Sequence, residues 1–157
     1  MSRFTQEVHF VNAAAAVTAL DDFANGSPAT DIVNLAMYDR ATWVYQQTAG
    51  ATGTVNIQVD SCDTVSPGTA TAIAFDYWTV SGDTRSDKVT ATAVGYTTIA
   101  GAEKMVVVEI NSAELSGTDK YARVQFTEVV DDPVSASCLC IMSKGRFVSE
   151  VPITAIV

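Results

Sequence analysis

Residues 54–60 read Thr-Val-Asn-Ile-Gln-Val-Asp, so Val55, Ile57 and Val59 fall on one side of an extended chain and Asn56, Gln58 and Asp60 on the other. A helix would scatter these apolar side chains around its circumference. A strand gathers them on one buried face and leaves the other face wet. The same two-residue period recurs along the chain, and it commits the molecule to sheet.

Residues 42–48 carry Trp43 and Tyr45 on one face, and Ala49-Gly50-Ala51-Thr52-Gly53 reads as the turn of a hairpin into 54–60. Residues 72–81 place Ile73, Phe75 and Tyr77 on one face and Ala74, Asp76 and Trp78 on the other, so Trp78 is expected at an edge or contact surface. Residues 104–110 are apolar on both faces, with Val106, Val108 and Ile110 against Met105 and Val107, which predicts a central or covered strand. Residues 120–130 alternate again, Ala122, Val124 and Phe126 inward and Arg123, Gln125 and Thr127 outward. Asp131-Asp132-Pro133 stops that strand and predicts a second hairpin into 134–142.

Helical signals are few. Residues 111–117, Asn-Ser-Ala-Glu-Leu-Ser-Gly, read as a capped single turn ended by glycine. In residues 12–23, Ala13, Ala16, Val17 and Leu20 share a helical face, but so short a helix is marginal in water, and an extended arm is the equal alternative. The expected fold is therefore all-β, an antiparallel β-sandwich of jelly-roll or immunoglobulin-like type. It has about seven or eight strands, one short helical turn and an N-terminal arm. Residues 1–30 are assigned to the arm, extended or as a short helix, with a hinge at 24–30, and residues 31–157 to the sandwich. The segment from about 146 stays apolar through Phe147, Val151, Ile153 and Ile156, so it is expected to pack on its own domain or a neighbour.

Charge decides which partners are plausible. With 18 acidic residues against 9 basic, a net charge of −9, the chain has no basic face with which to displace counterions from phosphates, so nucleic acid is not an expected partner. At 48% apolar and 17% charged residues, 157 residues can bury one domain's core, which excludes wholesale disorder. No apolar run reaches the ~18 residues of a membrane helix, and the N-terminus lacks the pattern of a signal peptide. A soluble, non-secreted domain without a membrane partner is expected.

Catalytic patterns are missing. His9, the one histidine, sits beside Glu7 between Val8 and Phe10, and without a nucleophile motif it reads as a surface residue of an N-terminal strand rather than a general base. The glycines occur singly in turns, not in phosphate-binding loops. Asp21-Asp22, Asp60 with Asp63, and Asp131-Asp132 could offer oxygens to calcium or a glycosidase-like carboxylate pair, but their spacing matches neither, and turn and cap chemistry accounts for them. Cys62, Cys138 and Cys140 lack the further ligands zinc needs and read as small buried hydrophobes in a reducing compartment. Neither an enzyme, a cofactor nor a metal is expected.

Several stretches in order carry a resemblance: Met37-Tyr38-Asp39-Arg40-Ala41-Thr42-Trp43, then Thr54-Val55-Asn56-Ile57-Gln58-Val59-Asp60-Ser61-Cys62-Asp63, then Thr71-Ala72-Ile73-Ala74-Phe75-Asp76-Tyr77, then Tyr121-Ala122-Arg123-Val124-Gln125-Phe126-Thr127-Glu128-Val129, and the small-residue strand at 134–143. Over residues 31–147 the chain resembles the capsid decoration, or cement, proteins of tailed bacteriophages. The resemblance implies a β-sandwich that binds the outer surface of the shell and stabilises it. It further implies the major capsid protein and copies of the chain itself, as dimer or trimer, as partners, with assembly in the host cytoplasm and residence on the capsid exterior. Exposed aromatics and extended arms suit such contacts, and the candidates are Phe4, Val8 and Phe10 on the arm, Trp78, and Phe147, Val151 and Ile153 on the tail. The alternative is a carbohydrate-binding or adhesion module of a phage tail or cell surface, stacking sugars on Trp43, Tyr45, Tyr77 and Trp78.

Overall fold

In a computed structural model the chain is described over residues 4–14, 28–47, 52–101, 105–132 and 134–145. After one helical turn, α1 (Phe4–Glu7), the strands are β1 (His9–Ala14), β2 (Val33–Asn34), β3 (Tyr38–Gln47), β4 (Thr54–Cys62), β5 (Ala70–Ile73) and β6 (Phe75–Ser81). There follow β7 (Thr84–Arg85), β8 (Val89–Ala91), β9 (Tyr96–Thr97), β10 (Met105–Asn111), β11 (Tyr121–Val130) and β12 (Ala136–Gly145). One sheet runs β1-β12-β3-β10-β6-β7, with β8 also on β6; the other runs β2-β11-β4-β5, with β9 also on β4. All pairings are antiparallel.

The two sheets close on one core, as the alternation requires. Val11, Ala41, Trp43, Tyr45, Val106, Val108, Ile110, Cys138, Cys140 and Met142 from the first sheet join Val55, Ile57, Val59, Ala122, Val124 and Phe126 from the second in one buried cluster. Tyr45 and Phe126 meet across it at 5.2 Å between ring centroids. The all-β antiparallel sandwich expected from sequence is the observed fold. β10 is central, between β3 and β6, as expected; its Val106, Val108 and Ile110 are buried in the core, while Met105 and Val107 stand on the outer face of the sheet. The turn at 111–117 is present as a 3-10 turn, Ser112–Glu114, in which the Asn111 N–H donates to the Glu114 carboxylate at 2.6 Å.

Both expected hairpins are corrected. β3 pairs with β10 and β12 while β4 pairs with β11, β5 and β9, so the chain changes sheet between Gln47 and Thr54. It changes sheet again between Val130 of β11 and Ala136 of β12. A link of five or six residues can span the ~10 Å between packed sheets as readily as it can turn a hairpin, and alternation shows that a strand has a core face but not which sheet it joins. The described ends of these two links, Thr52 and Gly53 against Asp132 and Val134, lie side by side. The Thr52 N–H and hydroxyl both donate to the Asp132 carboxylate, and a Cβ on Gly53 would press into the Asp132 carbonyl oxygen and lie 2.7 Å from Val134 Cγ2.

The expected single strand at 72–81 is likewise two strands. It leaves the second sheet after Ile73 and enters the first at Phe75, turning the corner at Ala74. At the N-terminus, His9–Ala14 pairs along β12 as the edge strand of the first sheet, so residues 12–14 are extended rather than helical. Residues 15–23 of that helical candidate lie outside the described residues. Pro28 and Thr30, in the expected hinge, are bonded into β11: the Phe126 N–H donates to Pro28 O at 2.9 Å and the Thr30 N–H to Val124 O at 2.8 Å. The apolar C-terminal segment beyond Gly145 also lies outside the described residues.

Candidate functional site

A strand in a sandwich turns every second side chain outward, and the two sheets differ in what they turn out. On the second sheet the outward residues are polar: Asn56, Gln58 and Asp60 on β4 face Thr127, Gln125 and Arg123 on β11. Asp60 and Arg123 join at 3.0 Å with side chains only 10% and 25% exposed. That surface satisfies itself and water.

The first sheet turns out an apolar row. Leu139 of β12, Val44 of β3, Val107 of β10 and Trp78 of β6 stand opposite one another in successive register pairs, crossing four strands on the solvent side. One row away, Phe10 of β1 faces Ile141 of β12; on the other flank, Met105 faces Val80. Phe10 is 44% and Leu139 37% exposed, large values for such side chains on a sheet surface. Phe4, at 62%, lies edge-on to Phe10 with ring centroids 5.9 Å apart. A contiguous apolar field on a sheet face is a surface suited to burial by another protein.

The charges within this field are matched locally. Glu109 and Asp76 are direct cross-strand neighbours, a repulsive arrangement unless each carboxylate has its own cation. Arg40 Nε lies 3.5 Å from Glu109, and Lys88 Nζ 2.9 Å from Asp76. The Thr90 hydroxyl also donates to Asp76 at 2.6 Å, and that hydrogen bond, with the one from Lys88, holds the Asp76 carboxyl below the usual range. Arg85 sits over the Trp78 ring, 5.7 Å from its centroid, in a cation–π contact.

The structure thus brings Phe4, Phe10 and Trp78 onto one side of the first sheet. Val8 is buried in the chain's own packing, and Phe147, Val151 and Ile153 lie outside the described residues. Sequence reading missed Val44, Leu139 and Ile141 as surface residues. Their signal was present in strands whose outward positions remain apolar, as Met105 and Val107 had already signalled on β10.

The aromatic platform of the carbohydrate reading is corrected. Trp43 and Tyr45 are fully buried in the core, and Tyr77 stacks on Tyr96 at 4.2 Å. His9 lies on a strand beside the Tyr38 ring, 6.1 Å between centroids. Among the described residues no three His, Cys, Asp or Glu side chains gather as metal ligands would. The three thiols are free and buried; burial pushes Cys62 up to about 11 and Cys138 to about 12, and raises Cys140 as well. An open cleft of about 200 Å³ beside Leu35, Leu115 and Lys120 contains Asp119, whose carboxylate already accepts from the Ser61 hydroxyl at 2.7 Å.

No protein-family model matches the chain, and no curated protein does. Among solved structures, the crystal structure of SPBc2 prophage-derived protein YomS is similar at 9% identity and a TM-score of 0.47, over 88% of this chain and 94% of that one.

Proposed function

We propose that this chain is a structural virion protein that binds the outer surface of a tailed-phage capsid and stabilises the shell. Its partners in this reading are the major capsid protein and copies of itself, and it works as a binding surface, without a cofactor and without catalysis. The observation that carries the reading is the outward apolar row Leu139, Val44, Val107 and Trp78, set in a sheet whose neighbouring charges are paired among themselves. Such a field gains by desolvation against a protein and gives a sugar or phosphate little to bond. The motif resemblance over residues 31–147 supplies the shell as the partner, and a charge of −9 per copy suits a crowded exterior that must stay soluble.

The test is co-sedimentation of the purified chain with intact particles that lack it, followed by cryo-electron microscopy of the decorated shell. Ordered density on the capsid exterior is expected. A chain that stays in the supernatant at saturating concentration overturns the reading.

A further inference from the structure

Arg85 stands opposite Val80 in the β6–β7 pair, so both side chains lie on the outward face of the first sheet, with Arg85 diagonal to Trp78. The two strands are joined by the two-residue turn Gly82-Asp83, with Gly82 at φ 63°, which fixes that register. On this face Arg40 and Lys88 are each held by a carboxylate, but Arg85 is in none of the ion pairs among the described residues. We propose that Arg85, laid over Trp78, is the charge-reading residue of the surface assigned above to the shell, and that the protein surface it meets carries a carboxylate beside an apolar patch.

Desolvation argues for that occupant. Covering Trp78 also strips water from the guanidinium lying on it, and a guanidinium keeps its charge in a protein, so its N–H donors need acceptors from the other side. A neutral carbonyl would satisfy a donor but leave the charge uncompensated, whereas a carboxylate meets the planar fork with two parallel hydrogen bonds. Asp83 and Asp87 flank Arg85 in sequence, yet neither pairs with it. The Asp83 carboxylate accepts from the Thr84 hydroxyl at 3.5 Å, and the register on β6 slips by one residue between Arg85 and Val89, which places Asp87 in a bulge. These two acids also offset any long-range pull of Arg85 on a distant anion, so the residue acts after docking, in how slowly the complex parts rather than in how fast it forms. The cation–π contact at 5.7 Å holds the side chain in place beforehand, which reduces the entropy lost when the pair forms. Trp and Arg together at the end of an apolar row are the residue types in which binding energy concentrates.

The inference rests on the shell-binding reading, and one experiment separates the two. The full chain and its variants are titrated against intact particles that lack it, and bound chain is measured by co-sedimentation. Arg85→Ala is expected to bind at least about tenfold more weakly, while Lys120→Ala, which removes the same charge beside the Leu35 cleft, leaves binding unchanged. Arg85→Gln, which keeps a neutral donor, is expected to bind as poorly as Arg85→Ala. Circular dichroism verifies that each variant is folded, and if Arg85→Ala fails to fold, Arg85→Gln carries the test. A folded Arg85→Ala within about threefold of wild type overturns the inference and leaves the shell-binding reading standing. An Arg85→Gln that binds as wild type does has the same result, because a neutral acceptor would then suffice. An equal loss in Lys120→Ala would trace the effect to net charge and overturn the inference as well. A wild-type chain that stays in the supernatant overturns the shell-binding reading and the inference with it.

Discussion

Gly53→Ala tests the crossover geometry directly. The added methyl would lie 2.7 Å from Val134 Cγ2 and 3.2 Å from the Asp132 carbonyl carbon, and closer still to the carbonyl oxygen. Ordinary contact needs about 3.5–4.0 Å, so the two links must part by roughly 1 Å. Overpacking of this kind costs about 1–3 kcal/mol. Separation also strains the two hydrogen bonds from Thr52 to Asp132, which at this exposed site are worth about 0.5–1.5 kcal/mol. Alanine returns about 0.4–1 kcal/mol by restricting the unfolded chain, leaving a net loss of about 2 kcal/mol. For a domain of this size that lowers Tm by about 4–8 °C. Urea unfolding followed by Trp43 fluorescence gives the free energy directly. The control is Gly68→Ala, where nothing lies within 4 Å of the new methyl and no loss is expected. If Gly53→Ala falls within about 0.5 kcal/mol of that control, the side-by-side packing of the crossovers is refuted.

Arg123→Ala leaves the Asp60 carboxylate largely buried without its cation, and a loss of about 3 kcal/mol in urea unfolding is expected; a loss under about 1 kcal/mol contradicts the pairing. Asp76 has a depressed folded-state pKa, so its contribution to stability is present above the unfolded carboxylate value of about 4 and is lost as pH falls through the lower folded value. Asp76→Asn is therefore expected to be less stable than wild type at pH 7 and to converge with it in acid; parallel pH profiles refute this. With all three thiols raised by burial, a thiol-specific reagent at pH 8 is expected to label native protein only as it unfolds, and all three sites at once in denaturant. Rapid labelling without denaturant would show that the strands carrying them open locally.

Strand positions and inward faces were legible because alternation records burial one residue at a time. Val55, Ile57 and Val59, or Ala122, Val124 and Phe126, have no other way to hide from water. Sheet membership was not legible, since the partners of β3 lie far along the chain: Val44 meets Val107 on one side and Leu139 on the other. The break at Ala74 was hidden because a strand turning from one sheet into the next keeps its alternation through the corner. For the candidate site, Trp78, Phe4 and Phe10 stood out by size. Val44 and Leu139 did not, since an outward valine or leucine looks ordinary until register sets it beside three others.

The crossovers also set how the molecule comes into being. β3 cannot complete either of its pairings until β10 and β12 exist, roughly 60 and 95 residues later, and β4 must wait similarly for β11. During synthesis, Trp43 and Tyr45 emerge with no sheet to enter. Loop closure over such separations is paid for before any packing is gained, which favours slow, all-or-none folding on the millisecond-to-second scale. The half-made chain, with unpaired strand edges and exposed aromatics, is the species in which aggregation competes. Once β12 has inserted between β1 and β3, the middle of the first sheet cannot be opened by unzipping a local hairpin, so the same long-range topology that delays assembly also holds that part of the finished fold together.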